Sequence, residues 1–187
     1  MLIALDTGCS INRMKRGGMF DFLDLDQETR QLMLEELELD LERNSLYPSK
    51  RFNAVGIAIY PDILRAAITS GTESTLASEL RASDAFAEFE LRKGKPVKVA
   101  VTAATTFAEG EFNRYYCRAI CRKAVARGNN SVEIYRARES ASPRSSSQEL
   151  LGQHLPATTL LDDLRTNPGV DTALGLPPGP NSGLSVK

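Results

Sequence analysis

Thr105 to Arg127, TTFAEGEFNRYYCRAICRKAVAR, is the longest stretch of the chain that reads as one uninterrupted helix, and the remaining elements are read outward from it. Thr106 and Glu109 stand at capping-box spacing, where hydroxyl and carboxylate each satisfy a free N–H of the first turn. At the other end Gly128-Asn129-Asn130 follows a last turn carrying Lys123 and Arg127, whose charges suit the negative end of the helix dipole. At 100° per residue, Phe112, Tyr115, Tyr116, Ala119 and Ile120 gather on one side, which predicts a buried face. Lys123 and Arg127 lie at its edge, able to lay their methylenes over it.

Arg114, Arg118 and Arg122 fall four apart on a different side, about 6 Å from one to the next. Such a stripe reads either as a solvated surface or as a docking face for carboxylates or phosphates, both of which guanidinium forks bind bidentately. Gly110 costs roughly 1 kcal/mol against alanine inside a helix. It marks a bend, a start, or a close approach by a neighbour, and the sequence does not choose among them.

The segment Asp21 to Arg43 has nine acids against two arginines, whereas Phe112 to Arg127 has five cations and no acid. The two segments are therefore electrostatically complementary, within one chain or between copies. The net charge of −1 argues against a surface wholly committed to nucleic acid. With 187 residues, 42% of them hydrophobic, the chain can build one modest core plus extensions. Tryptophan is absent, so that core must come from aliphatic residues with a few Phe and Tyr.

The acidic segment predicts a helix over about 27–43, with Asp26 as N-cap and Glu28 in the first turn. Leu25, Leu32, Leu39 and Leu46 recur every seven residues, while Leu34, Leu37 and Leu41 gather on the opposite side. A helix apolar on two sides is gripped from two sides, by its own fold and by a partner; a coiled coil is the rival, weakened by the second leucine set. Further on, Pro61 opens a helix to about Thr69, Gly71 ends it, and Thr72 starts another to about Arg81. Ala67, Gly71 and Leu76 to Leu80 match a helix-turn-helix only faintly, and Glu73 and Glu79 against one Arg81 make a poor reading helix for an anionic duplex.

Ser83 to Lys95 reads as a mobile connection ending in the turn Arg92-Lys93-Gly94-Lys95-Pro96. Val97–Val101 and Val132–Arg136 alternate as strands on either side of the long helix. If they are parallel neighbours, the crossover is right-handed. From Glu139 the chain turns Ser-rich, with helical fragments near 148–151 and 156–165. Asn167 to Lys187, rich in proline and glycine, forms an extended arm that excludes helix and inner strand. Its apolar beads, Leu174, Leu176 and Leu184 among them, favour docking on a neighbour.

The expected fold class is α+β, mainly helical. The expected divisions are a helical N-terminal region (19–82), a strand–long helix–strand unit (96–138), and a linker with short helices and the arm (139–187). Residues 1–18 read as a non-native upstream extension: Lys15-Arg16-Gly17-Gly18-Met19 can be encoded by a purine-rich ribosome-binding site ahead of a start codon. Their charge follows the short apolar run instead of preceding it, unlike a secretory signal.

No stretch carries a catalytic signature. His154 is the only histidine and has no sequence-adjacent nucleophile or acid. Asp162 and Asp163 point about 100° apart on a helix and suit a cap or surface better than a metal. Glu133 with Arg136 and Arg138 is too little for a nuclease. No glycine-rich loop joins a strand to a helix, so the phosphate-binding patterns are missing. Cys9, Cys117 and Cys121 suit a reducing compartment, and Cys117 and Cys121, four apart on a helix, have poor geometry for a disulfide. No apolar run is long enough for a membrane span. No cofactor or metal is expected.

The segments 108–116 (AEGEFNRYY), 132–138 (VEIYRAR) and 179–184 (GPNSGL) resemble stretches of uncharacterised proteins of tailed phages and prophages, a likeness covering roughly Met19 to the end. The resemblance implies a virion structural or assembly context, in the particle and in the host cytoplasm during assembly. Together these readings predict a non-enzymatic subunit that binds itself or other virion proteins. The expected contacts are Arg114, Arg118 and Arg122, the acidic residues Glu35, Glu38 and Glu42, and the arm residues Leu174, Leu176 and Leu184. The alternative is a nucleic-acid-binding accessory protein that lays the arginine face on phosphates.

Overall fold

The computed structural model describes residues 19–140, 142–168 and 183–187; the upstream-extension reading of 1–18 falls outside them. In chain order come α1 (Gln27–Glu42), α2 (Ala54–Ser70), α3 (Glu73–Ala82), β1 (Phe89–Arg92), β2 (Lys95–Lys98), α4 (Ala103–Ala126), β3 (Ser131–Arg136), α5 (Ser145–Glu149), β4 (His154–Pro156), α6 (Ala157–Thr166) and β5 (Leu184–Val186). The fold is mixed α+β with a long central helix, as the pattern predicts.

That helix, α4, is the axis of the molecule. α1, α3 and α6 pack along it, and the antiparallel sheet β4-β3-β5 covers a further side. Phe112, Tyr115, Tyr116, Ala119 and Ile120 are all buried, as the helical spacing requires. α4 begins a turn earlier than the capping box suggests, at Thr102, which makes no side-chain cap. Thr106 is an interior helix residue and Glu109 is buried, so that box is not used. Gly110 has open space where a Cβ would sit. Neither a close neighbour nor a helix start explains it, and Gly110→Ala is expected to raise stability by up to about 1 kcal/mol. Urea denaturation at unchanged slope measures this; a loss of stability would show that a side chain is not tolerated there.

α1 starts where Asp26 predicts, its Oδ1 accepting from Thr29 N at 2.8 Å. α2 begins at Asn53, earlier than expected, and runs through Pro61. Its last carbonyls are taken by α1: Arg30 Nη1 donates to Ile68 O and Nη2 to Gly71 O, at 2.6 and 3.0 Å. α3 opens on Thr72 with a capping box whose second member is Thr75. Leu76, Ala77 and Leu80 of α3 turn into the core, α3 packing on α4, so the solvent face retains Ser74, Thr75, Ser78, Glu79 and Arg81.

Two strand readings require correction. The first strand is Lys95–Lys98, not 97–101, and Ser83–Lys95 is not all connection, because Phe89–Arg92 pairs with it antiparallel. Lys93 and Gly94 both have positive φ, 51° and 76°, the geometry of a tight hairpin turn. β2 and β3 therefore lie in separate sheets and no crossover connects them.

The second concerns the C-terminal arm. Its end forms an edge strand of the chain's own sheet, Ile134 facing Val186 and Arg136 facing Leu184. Gly183, at φ 63°, admits the entry turn; a Cβ there would lie 2.3 Å from the Arg138 carbonyl oxygen. Leu184 and Val186 are 3% and 1% exposed. Leu184 is thus core and not a bead offered to a neighbour, while Leu174 and Leu176 lie outside the described residues.

Candidate functional site

The arginine stripe meets the acidic helix inside the molecule. α1 crosses α4 so that Glu36 and Asp40, one turn apart, face Arg118 and its neighbours. Arg118, 1% exposed, donates from Nε to Glu36 at 2.8 Å and from Nη1 and Nη2 to the two Asp40 oxygens at 2.6 and 3.1 Å. Glu36 also receives Arg165 of α6 bidentately, at 3.0 and 2.6 Å. Asp40 accepts the Tyr115 hydroxyl at 2.8 Å. Arg114 pairs with Glu111 one turn back at 2.5 Å, and Glu111 accepts the Tyr60 hydroxyl at 3.2 Å. Within this set Glu36, Asp40 and Glu111 balance Arg114, Arg118 and Arg165, which is how ionised groups survive burial.

Burial raises the carboxyl pKa values of Glu36 and Asp40, but the guanidinium groups outweigh it and both end below the usual range. Burial holds the Tyr60 and Tyr115 hydroxyls well above theirs. Both reading options for Arg114 and Arg118 therefore need correction. They form neither a solvated face nor a docking face, because the acids of α1 and α4 occupy them. Only Arg122 reaches the margin, 27% exposed and paired with Glu35 at 2.7 Å. Glu38 lies further out, held by Arg65 of α2 at 2.9 Å, and Glu42 is exposed. The nucleic-acid alternative loses two of its three arginines to this cluster.

A second buried group was not singled out by sequence. Glu73, at the first position of α3, accepts Phe20 N at 3.1 Å through Oε1, whereas its Oε2 is buried with no partner. Glu109 of α4 sits nearby with Arg138, whose Nε lies 3.6 Å from Glu109 Oε1 and whose guanidinium covers the Phe20 ring. Burial pushes both carboxyl pKa values up. The group fastens the segment before α1 to the body: Asp21 N donates to Ala137 O, and Phe22 packs on Phe112 and Tyr116. The only signal for Glu109 was its apparent capping box; nothing local marks Glu73 or Arg138.

The two groups predict a two-limbed pH profile. A carboxyl with a raised folded pKa contributes most below its unfolded value and loses that contribution as pH rises, so Glu73 and Glu109 favour stability as pH falls toward the carboxylate range. Glu36 and Asp40 have the opposite sign, as does Asp26. The last is held at about 2, first by the hydrogen bond from Lys123 Nζ at 2.7 Å and then by Thr29 N. Stability should peak in mildly acidic solution and fall steeply below about pH 4. Thermal melts from neutral to strongly acidic pH test this, and Glu73→Gln should flatten the upper limb alone.

Among the other expectations, His154 lies in β4 and is exposed, and Asp163 accepts from Asn167 at 2.9 Å. Cys117 and Cys121 are both buried. No group of three potential metal ligands occurs among the described residues, and no described helix is long and apolar enough to cross a membrane.

With the helices' charges largely paired internally, the conspicuous outward feature is the β1–β2 hairpin. It makes little contact with any helix, and its anchors are Arg51–Glu90 at 2.9 Å, Val99 N to Glu88 O, and the Phe52–Phe86 bridge at its base. Phe89, Leu91 and Val97 are 53%, 77% and 36% exposed, and Val101 just beyond is 91% exposed. An open groove at the base is lined by residues 84–88 and 98–101 together with Leu80, Arg81, Ala103 and Ala104; its titratable residues, Arg81, Asp84, Glu88 and Lys98, are all exposed. Comparison with family models, with curated proteins and with solved structures gives no match.

Proposed function

We propose that this chain is a non-enzymatic structural or assembly protein of a phage virion, which acts by binding copies of itself or other virion subunits. The observation that carries the reading is the hairpin. A two-stranded ribbon is marginal in water by itself, and one that keeps Phe89, Leu91 and Val97 in solvent, with Val101 just beyond them, gathers exposed apolar side chains in one place and is disposed to meet another surface. The phage-like segments 108–116, 132–138 and 179–184 supply the setting, in which the protein is made in the host cytoplasm and joins the particle. The buried cluster around Arg118 supports a constructional role, because its guanidinium is engaged with Glu36 and Asp40 beneath the surface.

Fractionation of producing cells on a density gradient tests it. The protein should sediment with particles or with assembly intermediates. Confinement to the low-mass fractions throughout particle production would refute the reading.

A further inference from the structure

Two outward surfaces of this molecule match one another. The register places Phe89, Leu91, Pro96 and Lys98 on one face of the hairpin and Glu90, Arg92, Lys95 and Val97 on the other. Glu90 is turned to Arg51 on the body, so the Phe89–Leu91–Pro96 face looks away from it. Beside that apolar face stand Lys93 at the turn and Lys98 on the face itself, neither of which forms an ion pair among the described residues; Lys95 and Arg92 lie on the opposite face, Arg92 engaged with Glu90.

The second surface is a groove beside α1, lined by Leu34 and Leu39 and by Glu35, Glu38 and Glu42; Arg122 of α4 also lines it and is paired with Glu35, and Arg65 holds Glu38. These leucines come one from each leucine set of α1, and both are only half-buried, Leu34 with part of its side chain against the core. From Gln31 to Glu42 the groove runs about 17 Å along the helix, and a four-residue hairpin arm is about 14 Å long. An apolar centre flanked by Lys93 and Lys98 thus matches a leucine-lined groove that carries three carboxylates against the cation Arg122, at similar length. Within one chain the hairpin makes no substantial contact with α1.

We propose that the hairpin of one copy docks in the acid–leucine groove of a second copy. The inference rests on the binding role proposed above and names its partner surface. Docking is through the side-chain face: Pro96 offers no N–H on β2, and Pro and Lys on an edge strand discourage strand addition. Because the two surfaces differ, the contact is heterologous: an open chain of copies keeps one free hairpin and one free groove at its ends, and the contact propagates to a closed ring or a filament.

Sedimentation velocity of the full chain over a concentration series tests it. The wild-type mass should rise with concentration. Leu91→Glu, and separately the double variant Glu38→Lys with Glu42→Lys, should each raise the dissociation constant about tenfold or more. All three positions are exposed, so circular dichroism should show native folding. An equimolar mixture of the two variants retains one good hairpin and one good groove and should stop at a dimer, which a symmetric interface would not do. A wild type that stays monomeric overturns self-docking; if it nonetheless sediments with particles, the binding role survives and the partner is another subunit. A monomeric wild type whose duplex-DNA binding is lost on Lys93→Glu with Lys95→Glu overturns it in favour of nucleic acid.

Discussion

Arg118→Ala should lower the free energy of unfolding by about 3–5 kcal/mol, because it removes one partner of a buried ionic cluster and leaves Glu36 and Asp40 facing each other's charge out of water. Against a total of about 5–15 kcal/mol for a folded domain, that is a large fraction. The expectation follows from the geometry: the guanidinium is 1% exposed and spends three donors on two carboxylates that are themselves 0% and 6% exposed. Arg122→Ala is the internal control. Its pairing with Glu35 lies at the margin, where ion pairs contribute about 0–1 kcal/mol. Urea denaturation of the two variants beside the wild type, at unchanged slope, reads both. If Arg118→Ala cost no more than Arg122→Ala, the cluster would not be holding α1 to α4. By the same geometry, replacing Arg114, Arg118 and Arg122 together by glutamine should abolish the fold, before any effect on association can be read.

The charge pattern carried half of this result. Nine acids around α1 and five cations on α4 announced that the two segments belong together, and left open whether they meet within one chain. What decided it was a third element. α6 supplies Arg165 to Glu36, across 129 residues of sequence, and closes the shell that takes both helices out of solvent. Helix periodicity found the aromatic face of α4 but judged the opposite side by residue type, so arginine suggested solvent. A helix at the axis of a fold is buried on several sides, and its charged residues then record what covers them.

Glu109 and Thr106 misled for a related reason. Capping-box spacing is a local signal, and the chain found its first turn earlier because Ala103 and Ala104 could be buried. The strands beside α4 alternated as strands do, but pairing depends on the turn: Lys93-Gly94 ties β2 to β1, while β3 recruits β4 and β5 from the far end. For the outward surfaces, the legible trace on α1 was one leucine from each set, Leu34 and Leu39, whereas Leu37 of the second set is fully buried. The hairpin went unread because Ser83 to Lys95 is polar overall and its few apolar residues are the exposed ones.

Removal of Leu184–Lys187 should abolish cooperative unfolding, a result opposite in kind to that of a dispensable arm. Leu184 and Val186 each bury nearly their whole side chain, and full burial of such a residue is worth about 1.5–3 kcal/mol before the cavity left behind is counted. The deletion also strips β3 of its pairing on one side. It orphans Asn113 on α4, which donates to Leu184 O at 2.9 Å and accepts the Ser185 hydroxyl at 2.7 Å. Lys187, paired with Glu133 at 3.0 Å, adds little, since both side chains are partly exposed. The losses together approach the whole stability of a domain of this size. Leu184→Ala is the graded version and should cost about 2–5 kcal/mol while keeping a cooperative melt. Both follow from thermal and urea unfolding monitored by circular dichroism. A truncated chain with the wild-type transition would mean that β5 rests on the sheet without holding it. Loss of folding places the last residues among those on which α4 depends, since they close the sheet that covers one side of it.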